Sequence, residues 1–161
     1  MESLEEALKE RLKGKVTLVG VGNTWKGDDG AGPALVSRLQ GRVRAQLIDA
    51  GEVPESFLGR IGETSPDTIV LLDVADLGAA PGEIAIIEGE QLRDISFSTH
   101  RLSLALLMKY LKYSTAADVF LLAIQPKGVG FGERMSQEVE EAVEALGEIL
   151  QRAAPITEPS L

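Results

Sequence analysis

Four side chains that can bind a metal ion or transfer a proton stand out: Asp28, Asp29, Asp73 and His100. Asp29 and Asp73 follow short apolar runs typical of buried strands, and His100, the only histidine, opens a stretch with helical periodicity. The first turn of a helix favours neutral imidazole, the form that binds metals. Two carboxylates with one imidazole suit a borderline divalent transition metal ion. We therefore expect Asp29, Asp73 and His100 to converge on a metal ion or on reacting groups.

Plainer roles and other chemistries remain open for the same residues. Asp28 is expected to cap the helix that follows it, because Asp is a preferred capping residue. A lone histidine such as His100 is more often a packed or surface residue than a ligand. Asp29 and Asp73 could instead act as an acid and base pair. A cysteine nucleophile is excluded because the chain has no cysteine, and no GxSxG motif indicates a serine nucleophile.

The stretch 16–33 must position the first two acids. It runs from an apolar strand (16–21) through a glycine-rich turn into a helix that starts at Pro33, which is the beginning of an α/β domain. Open α/β sheets place their sites at the carboxyl ends of such strands. Gly20-Val21-Gly22 also begins like a dinucleotide fingerprint, but Trp25 occupies the third glycine position. Adjacent acids would also repel a pyrophosphate, so a nucleotide site is disfavoured.

Alternating strands and helices are expected along the rest of the chain. Strands are predicted at 44–48, 68–73, 83–88 and 118–124, and helices at 2–13, 33–39, 54–62, 98–112 and 136–152. The strand at 83–88 is expected at a sheet edge and antiparallel, because Pro81-Gly82 leaves little room for a crossover helix. In this topology the acids at 29 and 73 and the helix start at 100 share one edge of the sheet.

Composition limits the class of protein. The 161 residues suit one domain, 1–161, with an N-terminal helix in 1–14 and a flexible tail at 153–161. A net charge of −9 argues against nucleic-acid binding. The charged start is unlike a secretion signal, no apolar run could span a membrane, and the absence of cysteine fits the cytoplasm. Without a strongly apolar exposed helix face, we expect a monomer.

Taken in order, the motifs resemble those of a known family. They are Gly20-Val21-Gly22-Asn23 with Gly27-Asp28-Asp29-Gly30-Ala31-Gly32-Pro33, Asp73-Val74-Ala75-Asp76 with Pro81-Gly82-Glu83-Ile84, Ser98-Thr99-His100, and Ile124-Gln125-Pro126. This series resembles the hydrogenase maturation endopeptidases, and among them the type that serves a membrane-bound or formate-linked [NiFe] hydrogenase.

The resemblance implies a three-layer α/β/α sandwich with a five-stranded, mostly parallel twisted sheet. It implies an aspartic-type peptidase that removes the C-terminal extension of a [NiFe] hydrogenase large-subunit precursor after nickel insertion. By the same resemblance, Asp29, Asp73 and His100 contact nickel that the substrate supplies and that the enzyme does not hold permanently.

This chain departs from the family pattern at two places. Ala50 precedes Gly51 where many members have paired glycines, and the N-terminal helix is absent from many relatives. Two other functions remain open. One is a non-catalytic, nickel-dependent checkpoint or chaperone with the same ligands, and the other is a hydrolase similar to peptidyl-tRNA hydrolase, whose chain also starts with a strand and a Gly-Asn turn.

Overall fold

The computed structural model describes residues 2–94 and 101–156. At its centre lies a five-stranded sheet whose strands are β1 (Val16–Val21), β2 (Gln46–Gly51), β3 (Thr68–Val74), β4 (Ile84–Ile87) and β5 (Asp118–Ile124). The spatial order is β2-β1-β3-β5-β4. All neighbouring strands are parallel except β4, which pairs antiparallel to β5. The expected α/β class, the mostly parallel sheet and the antiparallel edge strand are therefore confirmed.

Helices cover both faces of this sheet. They are α1 (Leu4–Arg11), α2 (Ala31–Leu39), α3 (Leu58–Gly62), α4 (Arg101–Thr115) and α5 (Gln137–Ala153). One apolar cluster joins one face of the sheet to α1, α2 and α5, and a second cluster joins the other face to α3 and α4. Successive residues of β1 alternate between them, with Leu18 in the first and Val19 in the second. This is the three-layer sandwich that the resemblance implied.

Several predicted element bounds differ from the observed ones, and two of these differences lie in elements that end or begin at the carboxyl edge of the sheet. The second strand begins at Gln46, not residue 44, and continues to Gly51, because Asp49 and Gly51 still pair with β1 across a local register shift. The helix predicted from Pro33 begins at Ala31 and follows a 3-10 helix, Gly27–Gly30. That extra turn carries the two adjacent acids.

The N-terminal helix is fastened to the amino edge of the sheet. Ser3 caps it by accepting a hydrogen bond from the Glu6 N–H, and Leu8 is fully buried. The Arg11 guanidinium contacts Glu88 at 2.6 Å and Asp118 at 2.8 Å and lies 4.1 Å from the centre of the Phe120 ring. These contacts give α1 a structural role at the amino edge of the sheet.

The far end of α5 also makes contacts. Ala153 is its last residue, Ala154 is buried, and the Ala154 carbonyl accepts a hydrogen bond from the Arg44 N–H. Residues 157–161 of the predicted tail lie outside the described part of the chain. None of the helices in the described ranges is long and apolar enough to cross a membrane.

Candidate active site

Two glycines allow the first acids to approach the sheet. A Cβ at Gly32 would lie 2.3 Å from the Leu72 carbonyl oxygen, so α2 packs directly against the strands. Gly22 has a φ of +141°, and a Cβ there would lie 1.9 Å from the Asp29 carbonyl oxygen and 3.6 Å from Asp73 Oδ1. Only glycine fits such a conformation and such a close approach. Asp29 and Asp73 therefore meet at the carboxyl edge, where the sequence predicted them.

The two carboxylates differ in their hydrogen bonds. Both residues are buried. Asp29 Oδ2 accepts a hydrogen bond of 2.8 Å from the Asn23 N–H. Asp73 Oδ1 accepts one of 2.7 Å from the Val74 N–H, whereas its Oδ2 is buried with no hydrogen-bond partner in the described chain. One oxygen of this site is thus left without a donor.

Burial raises the pKa of Asp73 well above its usual range, and the nearby negative charge of Asp29 raises it further. The hydrogen bond from Val74 opposes these effects but does not outweigh them. Buried polar atoms in proteins normally have a partner, and exceptions often mark a functional site or an ion site. A proton or a cation beside Asp73 Oδ2 would relieve the unfavourable charge.

The third predicted ligand, His100, lies outside the described residues, so its convergence with the two acids stays a prediction. The described part of α4 begins at the next residue, Arg101, and ends at Thr115, just before the amino end of β5. Its start therefore lies towards the carboxyl edge. Within the described ranges, no group of three acidic, histidine or cysteine side chains could hold a metal ion. The described residues thus bring together two buried carboxylates, those of Asp29 and Asp73, at this edge.

The prediction that Asp28 caps the helix after it was wrong. Asp28 is fully buried, but it does not cap α2, whose N-cap is Gly30 without a side-chain bond. Its carboxylate accepts hydrogen bonds from three backbone N–H groups and one hydroxyl, namely those of Lys127, Gly128 and Ser136. It therefore fastens the turn that carries Asp29 to the loop before α5.

Two polar residues that were not assigned a role organise the loops around the acids. Asn23 holds Asp29 through its N–H and donates from Nδ2 to Glu52 at 2.7 Å. Gln125, at the end of β5, accepts from the Leu77 N–H at 2.6 Å and so shapes the loop after β3. Both lie in the family motifs, but only the folded structure shows their partners.

The structure supports neither a phosphate site at the two adjacent acids nor a site in the cavity at the opposite edge. The N–H groups of Asp28 and Asp29 donate to the carbonyls of Gly128 and Lys26, so they do not form a phosphate cradle. A cavity of about 980 Å³ lies at the opposite, amino edge, lined partly by Lys15, Arg44 and Ala154. It contains none of the predicted site residues, and we place the chemistry at the carboxyl edge.

Comparisons with known proteins show the family to which the chain belongs. Residues 33–153 match the family model described as HycI, hydrogenase maturation protease. The hydrogenase 3 maturation protease of Escherichia coli K12 is 36% identical over 137 residues, which cover 83% of this chain and 87% of the relative.

Solved structures give the same result. A [NiFe] hydrogenase maturation protease HycI from Thermococcus kodakarensis is 30% identical with a TM-score of 0.82, covering 91% of this chain and 97% of that one. The endopeptidase HycI from Escherichia coli is 35% identical with a TM-score of 0.79, covering 86% and 90%. The chain belongs to the hydrogenase maturation protease family and is an endopeptidase of hydrogenase maturation.

Proposed function

We propose that this endopeptidase removes the C-terminal extension of a [NiFe] hydrogenase large-subunit precursor after nickel has been inserted, and that Asp29, Asp73 and His100 contact that nickel. The observation that carries the proposal is the buried, unpartnered Oδ2 of Asp73 beside Asp29. The printed names of relatives, including hydrogenase 3 maturation protease, support a hydrogenase as the substrate.

The electrostatics of the two acids explain why the substrate's nickel would matter. Without a cation, the buried carboxylates repel each other, and Asp73 retains a proton more readily than an exposed acid. Nickel carried by the precursor supplies the missing positive charge, and Asp73 must lose its proton to bind it. A precursor without nickel leaves the repulsion in place and binds weakly. The metal is thus part of the substrate and is recognised by the enzyme's ligands.

Hydrolysis adds water across one peptide bond. The water oxygen joins the carbonyl carbon, the carbon–nitrogen bond breaks, and a proton reaches the departing amine. Asp29, Asp73 and His100 are the candidate catalytic groups for these proton transfers, and the aspartic-type label belongs to this proposal. The Asn23 N–H fixes one oxygen of Asp29, so this carboxylate meets the substrate in a defined orientation.

The competing functions make different predictions for the same protein. A nickel-dependent checkpoint would use the same ligands but would bind the precursor without cutting it. Membership of a protease family favours cleavage over this alternative and over a peptidyl-tRNA-hydrolase-like activity. The proposal also includes a cytoplasmic location, which the absence of cysteine fits, and a monomeric state.

The test is intact-mass spectrometry of a cognate large-subunit precursor, with and without inserted nickel, after incubation with the enzyme. The variants are Asp29→Asn, Asp73→Asn and His100→Ala, and Asp67→Asn at the exposed amino edge is the matched control. We expect the unmodified enzyme and the control to release a C-terminal peptide only from the nickel-loaded precursor. Binding without release would favour the checkpoint, and equal cleavage of both precursors would refute nickel sensing.

A further inference from the structure

We propose that Trp25 and Phe131 form an aromatic rim that binds apolar side chains of the substrate polypeptide next to its metal. The inference rests on the proposed function and deepens it by naming a second recognition element. Trp25 is 71% exposed and Phe131 is 78% exposed, although both are large apolar side chains. The two residues belong to separate loops that the backbone joins at the carboxyl edge of the sheet.

The rim is continuous with the candidate active site. The Asn23 N–H binds the Asp29 carboxylate at 2.8 Å, and the Asn23 side-chain oxygen accepts a hydrogen bond of 2.8 Å from the Trp25 N–H. The Trp25 carbonyl accepts one of 2.7 Å from the N–H of Gly132, the residue after Phe131. A chain of hydrogen bonds thus runs from the Asp29 carboxylate through Trp25 to the residue next to Phe131.

Hydrogen bonds order the backbone on both sides of Phe131. The second loop is closed by Glu133, which accepts from the Gly130 N–H through its side chain at 2.9 Å and donates its own N–H to the Gly130 carbonyl at 3.1 Å. The buried Asp28 fastens the same loop through Gly128 at 3.0 Å. Exposed aromatic rings on an ordered backbone lose little conformational freedom on binding, and such rings are common anchors at interfaces.

The position of the rim and the charge of the protein indicate that the substrate polypeptide binds the rim. Asp29 and Asp73 lie at the same edge of the sheet as the loops that carry the rim, so a polypeptide that brings nickel to these acids comes close to both aromatic residues. A second copy of this protein would bring another net charge of −9, and an anionic membrane surface would also be repelled. An apolar segment beside a bound cation matches the two features of this edge, exposed aromatic rings and buried carboxylates.

The experiment measures binding and turnover of the nickel-loaded precursor with Trp25→Ala and Phe131→Ala. Tyr113→Ala is the matched control, because Tyr113 is 91% exposed on α4 near the amino edge. We expect each rim variant to raise KM and Kd roughly ten-fold with little change in kcat, as for truncation of an interface anchor. The control should leave all three values unchanged, and Trp25→Phe should recover most of the affinity.

Trp25 also provides a direct optical readout, because it is the only tryptophan of the chain. Acrylamide quenching of its fluorescence, corrected with the Trp25→Phe enzyme as a blank, should decrease when the loaded precursor binds. Unchanged quenching together with unchanged KM and Kd in both rim variants would overturn the rim while leaving observed cleavage, and hence the proposed function, intact. If the unmodified enzyme bound the loaded precursor more tightly than the rim variants but did not cleave it, the rim would be supported and only the peptidase step would be refuted. A dimer that dissociates in the rim variants would show that a second copy occupies the rim, which contradicts the proposal.

Discussion

Replacing each of the two adjacent acids by its amide should separate structural from chemical roles. Asp28→Asn removes one acceptor oxygen from a fully buried carboxylate that serves three backbone N–H groups and one hydroxyl. Asp29→Asn changes a residue whose carboxylate accepts from the Asn23 N–H and faces another acid. We expect the first variant to lose stability and the second to lose activity while staying folded.

The expected loss of stability in Asp28→Asn follows from the hydrogen bonds of Asp28. An amide can place its single oxygen towards Lys127 and Gly128 or towards Ser136, but not towards both sets of N–H donors. At least one buried donor loses its acceptor and faces an NH₂ group, which costs about 1–3 kcal/mol, and the remaining bonds lose the contribution of the charge. We expect a total loss of about 3 kcal/mol, or roughly 6–12 °C in Tm for a chain of this size.

The assay combines thermal unfolding with cleavage of the nickel-loaded precursor. Asp29→Asn should unfold within roughly 3 °C of the unmodified protein and should show no cleavage, because the change relieves charge repulsion but removes a carboxylate that we propose contacts the nickel. Asp28→Asn should retain measurable kcat at temperatures where it remains folded. Equal Tm values for Asp28→Asn and the unmodified protein would refute the assigned structural role of Asp28.

Three further predictions concern pH, the N-terminal helix and the contact between α2 and the sheet. Because burial and Asp29 raise the pKa of Asp73, kcat/KM should fall on acidification at a pH above the usual range of an aspartate; a fall only near pH 4 would contradict the account. The folding stability depends on pH in the opposite direction. Because the pKa of Asp73 is higher in the folded than in the unfolded protein, its contribution to stability is full below the unfolded pKa and is lost as the pH rises through the folded pKa. The gain in Tm from Asp73→Asn should therefore grow from about pH 4 to pH 8, and a constant difference would refute it. Arg11→Met should lower the free energy of unfolding, measured with urea, by only about 1–2 kcal/mol, because the ion pairs of Arg11 are partly exposed. High salt should reduce this difference between the variant and the unmodified protein. Gly32→Ala should cost about 3 kcal/mol because the added methyl meets the Leu72 carbonyl, and an unchanged urea midpoint would show that α2 can move away.

The sequence predicted elements well where the apolar pattern alone decides them. The first strand, 16–21, and the last, 118–124, were predicted with the observed bounds because both are short and mostly apolar. The second strand was misplaced because its end contains Asp49 and Gly51, residues that are disfavoured in strands. Hydrogen bonding to β1 overrides that preference, and this pairing is not visible in a local window.

In the candidate site, too, some features could be predicted from the sequence and others depended on contacts between distant residues. The meeting of Asp29 and Asp73 followed from a topological rule, because parallel strands place their carboxyl ends at one edge. The role of Asp28 could not be predicted, since its partners Lys127, Gly128 and Ser136 lie about a hundred residues later. The capping interpretation relied on neighbours in sequence, whereas a buried carboxylate takes the donors that the fold brings to it.

The most direct test of nickel sensing is a comparison of dissociation constants. Nickel-loaded and nickel-free precursor would be titrated against the unmodified enzyme, Asp29→Asn and Asp73→Asn, with mass spectrometry confirming that binding is recorded before cleavage. We predict that loading tightens binding to the unmodified enzyme by roughly ten-fold or more and that either substitution removes most of this preference. An undiminished preference in both folded variants would show that the two carboxylates do not sense the metal.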